Sequence, residues 1–86
     1  MTGAVRLLYF AWVRERIGAS EETLPLAAPL PLALLLEQLR ARSAGHALAL
    51  ADTVRLRAAV NEAFVGWDAE VRPGDEVAIF PPVTGG

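Results

Sequence analysis

Apolar residues recur along the chain with two periods, and the longer period predicts helices. One stripe follows the i, i+3, i+4, i+7 spacing of a helix face and predicts the main helix: Leu32, Leu35, Leu36 and Leu39. Pro31 suits the first turn of this helix, which we expect to end between Ser43 and Gly45. A shorter helix is predicted over residues 12–17. Gly18 suits its end, because glycine lacks the Cβ that penalises a left-handed cap.

The other apolar runs have the composition of β-strands, rich in β-branched, aromatic and aliphatic side chains. We predict five strands, at residues 5–11, 20–26, 54–60, 63–65 and 76–80. Pro25 favours an edge position for the second strand, because proline donates no hydrogen bond to a neighbour. Asn61-Glu62 and residues 72–75 are predicted turns. Residues 46–50 fit either a short helix or a crossing segment.

The order of these elements predicts the fold class. Two strands, one dominant helix and then further strands indicate an α+β protein of the ubiquitin-like β-grasp type, a mixed sheet with one main helix packed on one face. The first and last strands are the most apolar, so we expect them to be neighbours in the centre of the sheet. We predict a β-grasp domain over residues 1–80 and a flexible Pro-Pro…Gly-Gly tail over residues 81–86.

Composition narrows the possible functions. The 86 residues allow one hydrophobic core, and 53% of them are hydrophobic. The net charge of −2, without a basic run, argues against nucleic acid as a partner. No apolar stretch has the length of a membrane span or the form of a signal peptide, so no membrane partner is predicted and we expect a soluble, cytoplasmic protein. Cysteine and lysine are both absent, which removes thiolate chemistry and side-chain amines.

The end of the sequence carries the candidate chemistry. Pro81-Pro82 should project the chain away from the sheet, and the residues after Thr84 have no side chains. An extended segment from Pro81 to Gly86 can reach about 20 Å, at roughly 3.3 Å per residue. A partner using ATP could activate the Gly86 carboxylate as a mixed anhydride, which sulfur or an amine can then attack. A frayed terminus without function is the alternative.

Other polar residues fit structural roles better than catalytic ones. His46 is the single histidine, and no cysteine or acidic cluster lies near it in the sequence. Asp75-Glu76 is interpreted as turn chemistry and not as an acid/base pair. We therefore predict no metal site.

Four segments together resemble a known family: FPPVTGG at the end, PGDEVAIF before it, AAVNEAFV around Asn61 and YFAWVRERIG near the start. They are similar to the small, sulfur-carrier subunits of molybdopterin synthase, and the similarity extends over essentially the whole chain. The resemblance implies that Gly86 is adenylated, converted to a thiocarboxylate and inserted into the large subunit. Two such sulfurs complete the dithiolene of molybdopterin, and Gly85 lets the tail enter the active site.

The same resemblance implies the partners: the large subunit, a ubiquitin-activating-like adenylyltransferase and a sulfur donor, with two small and two large subunits in a heterotetramer. ATP is used by the activating partner, and no cofactor is expected to be bound by this chain. The chain is then a non-catalytic subunit of a sulfurtransferase. Carriers for thiamine or tRNA thiolation, ubiquitin-like protein modifiers and a β-grasp interaction module without tail chemistry remain alternatives.

The resemblance also implies which residues bind the partners. Phe10, Phe64 and Phe80 should contribute to an apolar sheet surface, with ordinary core as the alternative. Arg14 is expected either to pair with an acidic partner residue or to be a solvated helix-face charge. The tail adds Pro81, Pro82, Val83 and Thr84 to the partner-binding set.

Overall fold

The computed structural model describes residues 3–82. Over this range the elements are, in chain order, β1 (Ala4–Tyr9), α1 (Ala11–Ile17), β2 (Glu21–Pro25), β3 (Leu30–Pro31), α2 (Leu32–Arg40), α3 (Ala44–Ala49), a 3-10 turn (Thr53–Arg55), β4 (Arg57–Val60), β5 (Ala63–Val65), β6 (Glu70–Val71) and β7 (Glu76–Phe80). No helix within residues 3–82 has both the length and the apolarity needed to cross a bilayer.

Five strands form the main sheet, in the order β2-β1-β7-β4-β5. β1 and β7 run parallel, while the other neighbours are antiparallel. The predicted mixed sheet of a β-grasp fold, with its first and last strands adjacent, is therefore confirmed. The last strand occupies the centre, so that hydrogen-bonded neighbours hold it on both sides.

The core lies between one face of this sheet and the helices. The four leucines of the predicted stripe are completely buried on α2. Val5, Leu7 and Tyr9 alternate with exposed or half-buried residues along β1 and meet the same core. Each buried leucine stabilises the fold by roughly 1.5–3 kcal/mol before the loss of conformational entropy is counted.

Both ends of the main helix depend on tertiary contacts. Pro31 is its N-cap, and backbone carbonyls of the loop before β6 accept the first helical N–H groups: Trp67 accepts from Ala33 and Ala69 accepts from Leu32. The predicted end at residues 43–45 is wrong, because α2 stops at Arg40. Ser43 instead begins α3, where its side chain accepts the His46 N–H.

Two predicted strands extend two or more residues beyond the observed ones, for local reasons. β1 ends at Tyr9 because Ala11, with φ of 54°, turns the chain into α1. β4 begins only at Arg57, because Asp52 caps a 3-10 turn over the preceding residues. The two-residue pair β3–β6 was not predicted. These strands are too short to show an alternation of apolar and polar residues, and the paired residues lie about 40 positions apart in the sequence.

The predicted turns are confirmed and are joined to each other. Asn61 and Glu62 both have positive φ between β4 and β5. The Asn61 side-chain amide donates to Asp75 at 2.9 Å and accepts the Glu76 N–H at 3.0 Å. These bonds connect the hairpin to the turn that precedes β7.

Candidate partner-binding face and tail root

One face of the main sheet is left uncovered by the helices. On this face the strand register aligns four residues in a row, one each from β1, β7, β4 and β5. Leu8 pairs with Ala78, Ala78 with Ala59 and Ala59 with Phe64. We call this surface the outer face; its residues are Arg6, Leu8, Phe10, Glu21, Arg57, Ala59, Phe64, Glu76, Ala78 and Phe80.

The three phenylalanines singled out in the sequence lie together at one end of the outer face. Phe64 is 82% exposed and Phe10 is 46% exposed, whereas Phe80 is half-buried. The Phe64 and Phe80 rings are 5.8 Å apart between centroids and tilted by 44°. Phe10 follows the Tyr9–Ile79 pair, and its N–H donates to the Ile79 carbonyl at 3.3 Å. The exposure of Phe10 and Phe64 excludes a place in the core, and Phe80 lies on the same outer face.

A groove of about 260 Å³ opens beside Phe64 and Phe80, where β4 begins and β5 and β7 end; it is lined by Arg57, Ala58, Phe64, Val65 and Phe80. Exposed aromatic side chains grouped around a groove mark protein interaction surfaces, since each ring releases ordered water when a partner covers it. The arrangement fits an apolar side chain of another protein.

The opposite end of the outer face is charged. Arg6 donates to Glu21 at 2.6 Å and lies 3.5 Å from Glu76. These side chains are well exposed, so their pairing adds little to stability. The outer face is thus divided into an apolar end and a self-paired polar end.

The tail leaves the domain from the apolar end. We call Phe80, Pro81 and Pro82 the tail root. Phe80 closes the central strand, and both prolines are half-buried outside any strand. β1 and β4 hold β7 on its two sides, so the direction of the root is fixed by the sheet. Val83, Thr84, Gly85 and Gly86 lie outside the described residues.

Arg14 lies on α1 and is exposed. Within residues 3–82 no carboxylate forms a salt bridge with it. Its pairing with an acidic residue of a partner stays a prediction.

His46 has an acidic neighbour that the sequence did not indicate. It is almost completely buried, and its Nε2 lies 2.6 Å from Glu22 Oε2, which also accepts from the Tyr9 hydroxyl at 2.7 Å. Ser43 Oγ lies 2.7 Å from His46 Nδ1. The sequence did not indicate this contact, because Glu22 lies 24 positions from His46 and only the position of β2 in the sheet brings the two side chains together.

The surroundings of this network shift two pKa values. Burial raises the pKa of Glu22, but the hydrogen bonds from His46 and Tyr9 and the nearby charges of His46 and Arg42 outweigh it, so the net pKa is lowered. Burial, and then the bond to Glu22, raises the pKa of the Tyr9 phenol above its ordinary range. Although a hydroxyl, an imidazole and a carboxylate are in line, Ser43 is engaged as the α3 cap and the network faces the core. Its role is to tie β1, β2 and α3 together.

A second hollow, of about 370 Å³, lies between α2 and Trp67, on the helix side of the sheet. Glu37 and Arg40 line its rim. None of the predicted partner-binding residues lines this hollow.

The chain matches known proteins over nearly its full length. The ThiS family profile covers residues 7–86. The molybdopterin synthase sulfur carrier subunit of Escherichia coli (strain K12) is 46% identical over 83 residues, which cover 95% of this chain and 99% of that protein. The subunit of the same name from Haemophilus influenzae is 36% identical over the same share of each chain.

A solved structure has the same fold. It is described as a molybdopterin converting factor, subunit 1, from Pyrococcus furiosus, and it is 31% identical with a TM-score of 0.78, covering 94% of this chain and 99% of that one. The family match includes the phenylalanine cluster, the tail root and the terminal diglycine. The resemblance stated from the sequence is thereby confirmed, and the chain belongs to the ThiS family, close to the sulfur-carrier subunits of molybdopterin synthase.

Proposed function

We propose that this chain is the sulfur-carrier subunit of a molybdopterin synthase and that its reactive group is the carboxylate of Gly86. The observation that carries the proposal is the position of the tail root, which leaves the central strand beside an exposed aromatic surface. A partner that covers this surface receives the tail at a defined place. The relatives that bear the carrier name match nearly the whole chain.

The chemistry requires an activated acyl group. The Gly86 carboxylate attacks the α-phosphorus of ATP on a ubiquitin-activating-like adenylyltransferase, which forms an acyl adenylate and releases pyrophosphate. A donor that supplies sulfur as hydrosulfide then attacks the acyl carbon, displaces AMP and leaves a thiocarboxylate. In the large subunit the thiocarboxylate sulfur attacks a carbon of the pyranopterin precursor and displaces an oxygen substituent from that carbon. Water then cleaves the acyl–sulfur bond, which restores the carboxylate and leaves the sulfur on the precursor. Two such deliveries supply the two sulfurs of the dithiolene.

The amino-acid composition supports a chain that carries sulfur on its terminal carboxylate while the large subunit binds the substrate. The chain has no cysteine, so the terminal carboxylate is the group to which sulfur can be attached. It has no lysine, so no side-chain amine of its own competes for the activated acyl group. Side-chain-free Gly85 and Gly86 suit a narrow active-site channel, and the substrate-binding groups belong to the large subunit. The chain acts as a covalent reagent and binds no cofactor of its own.

The assembly proposed is a heterotetramer of two small and two large subunits. Such a complex would bury the apolar end of the outer face and bring two tails to two active sites. Because activation draws on cellular ATP, we place the reaction in the cytoplasm.

Intact-mass measurement tests the first half of the proposal. After incubation with the adenylyltransferase, ATP and a sulfur donor, the protein should gain the mass expected when one oxygen is replaced by sulfur. The variant without Gly86 is the matched control and should gain nothing. If the Escherichia coli relative is converted under the same conditions and this chain is not, the sulfur-carrier proposal is wrong.

A second measurement selects the pathway. The purified thiocarboxylate form is mixed with the molybdopterin synthase large subunit and the pyranopterin precursor, and dithiolene formation is followed. Product should appear in proportion to the carrier consumed. Transfer only in a thiamine or tRNA thiolation assay would identify one of the other carriers. Recovery of Gly86 in isopeptide bonds to lysines of other proteins would identify a modifier.

A further inference from the structure

Arg57 is a charged residue within the apolar end of the outer face. It begins β4, directly across from Phe80, and lines the groove together with Phe64. Its neighbour Ala58 points into the core, so strand alternation turns Arg57 outward, and it is exposed. Any partner that covers Phe64 and Phe80 must therefore also cover this cation.

The charge of Arg57 is not neutralised by the part of the chain that the structure describes. The other charged residues of the outer face pair with one another through Arg6. Arg57 has no carboxylate within salt-bridge distance among residues 3–82. A covered but unpaired guanidinium would lose its hydration without compensation, which strongly opposes binding.

The orientation of the guanidinium limits what can compensate it. Its Nη1 donates to the Leu56 carbonyl at 2.7 Å and to the Val54 carbonyl at 3.2 Å. The Nε–Nη2 edge makes no hydrogen bond within the described residues. This edge is the side-on fork that binds the two oxygens of a carboxylate. Because the backbone already holds the group, little side-chain freedom is lost when a partner binds.

We infer that Arg57 determines partner specificity: it pairs with a carboxylate that the large subunit presents beside the apolar side chain filling the groove between Phe64 and Phe80. This inference rests on the proposed function, which supplies the large subunit as partner. The apolar contact supplies affinity, and the charge pair rejects partners that lack an acid at this position. Arg57 is a recognition residue and takes no part in sulfur transfer.

Replacing Arg57 by methionine tests whether a carboxylate of the large subunit faces the guanidinium. If a carboxylate faces Arg57, Arg57→Met leaves that carboxylate covered and unpaired, and the Kd for the large subunit should rise about tenfold or more. Arg57→Glu should raise it further, and Arg57→Lys should lie between the wild type and Arg57→Met, since lysine keeps the charge but lacks the fork. Arg55→Met, on the adjacent 3-10 turn and outside the groove, is the control.

The Kd is measured by titration calorimetry with the carboxylate form of the whole chain, and circular-dichroism melts verify that each variant is folded. A carboxylate→Arg change in the large subunit that restores binding of Arg57→Glu would identify the pairing residue. If Arg57→Met binds as tightly as wild type, or more tightly, the inference is overturned. The guanidinium would then lose its hydration on binding without gaining a carboxylate partner. Wild type that neither binds the large subunit nor transfers sulfur would instead refute the proposed function.

Discussion

At the scale of single residues, the location of an exposed apolar side chain determines the effect that we expect from replacing it. Phe64 and Leu48 are both large, apolar and mostly exposed, at 82% and 64%. Phe64 belongs to a cluster beside the tail root, whereas Leu48 stands on α3 on the helix side of the sheet. The same residue property therefore predicts different consequences at the two positions.

Phe64→Ala should weaken binding to the large subunit by about 2 kcal/mol, roughly 30-fold in Kd, because an aromatic anchor at an interface core is lost. The melting curve should change little, since the ring contributes little to the core. Leu48→Ala is the control and should leave the Kd unchanged. Calorimetric titration of both variants checks the difference, and equal Kd values for Phe64→Ala and wild type would remove the outer face from the interface.

Glu22 should make stability depend on pH. Its pKa in the folded chain is lowered from the ordinary 4.5, so its contribution is complete above pH 4.5 and is lost as the pH falls through the lower folded value. We expect Glu22→Gln to cost about 2 kcal/mol at pH 7, since charge-assisted hydrogen bonds to Tyr9 and His46 are lost. The cost should shrink at pH 3.

Urea unfolding of wild type and Glu22→Gln at both pH values measures this effect. Glu37→Gln, on the exposed side of α2, serves as the control and should show almost no cost at either pH. A Glu22→Gln cost that is the same at pH 7 and pH 3 would contradict the ionised network.

At the scale of elements, contacts between distant segments determine where helices lie. α1 and α3 approach so closely that a Cβ on Gly45 would overlap the Arg16 carbonyl oxygen. Gly18 ends α1 in the left-handed conformation, with φ of 88°. Gly45 is required by the packing of the two helices, and Gly18 is required by its backbone conformation. Only the requirement at Gly18 can be recognised from the neighbouring sequence.

Gly45→Ala distinguishes packing from helix propensity. Propensity alone predicts a gain of about 1 kcal/mol for alanine inside a helix. The contact with the Arg16 backbone instead predicts a loss of about 1–3 kcal/mol, because neither backbone can move without disturbing the core. Denaturant unfolding gives the sign, and Ala47→Ser on the exposed side of α3 controls for changes in the helix itself. A stabilised Gly45→Ala would show that the two helices can separate freely.

At the scale of the whole molecule, the central strand of the sheet leads directly into the tail root. β7 lies between β1 and β4, and its outer face carries the aromatic cluster from which the tail root departs. The aromatic residues and the tail root therefore lie at the same edge of the sheet, while the core and the Glu22 network lie on its other side.

Blocking the end of the tail should abolish function and spare the fold. We expect a chain with a short C-terminal tag after Gly86 to acquire no thiocarboxylate, because the carboxylate that must be activated is no longer at the end. Its melting temperature should match that of the untagged chain, since the core lies within residues 4–79. The same tag at the N-terminus is the control. A large loss of stability on C-terminal tagging would mean that the tail is structural.

The sequence by itself determined the local features: the leucine stripe of α2, the Gly18 cap, the turns at Asn61 and before β7, and the order of elements that indicates a β-grasp. Each depends on a period or a backbone preference that neighbouring residues express without the rest of the chain. The four sequence segments that resemble the sulfur-carrier subunits likewise indicate the family without the three-dimensional structure.

The tertiary structure alone decided which distant residues meet. It placed Glu22 against His46, ended α2 at Arg40 and left Ser43 to cap α3, and set Arg57 in one groove with Phe64 and Phe80. Such pairings join residues that share no period, and their energies depend on distance and burial. Sequence patterns report which face a residue occupies, and only the packed chain determines what lies opposite that face.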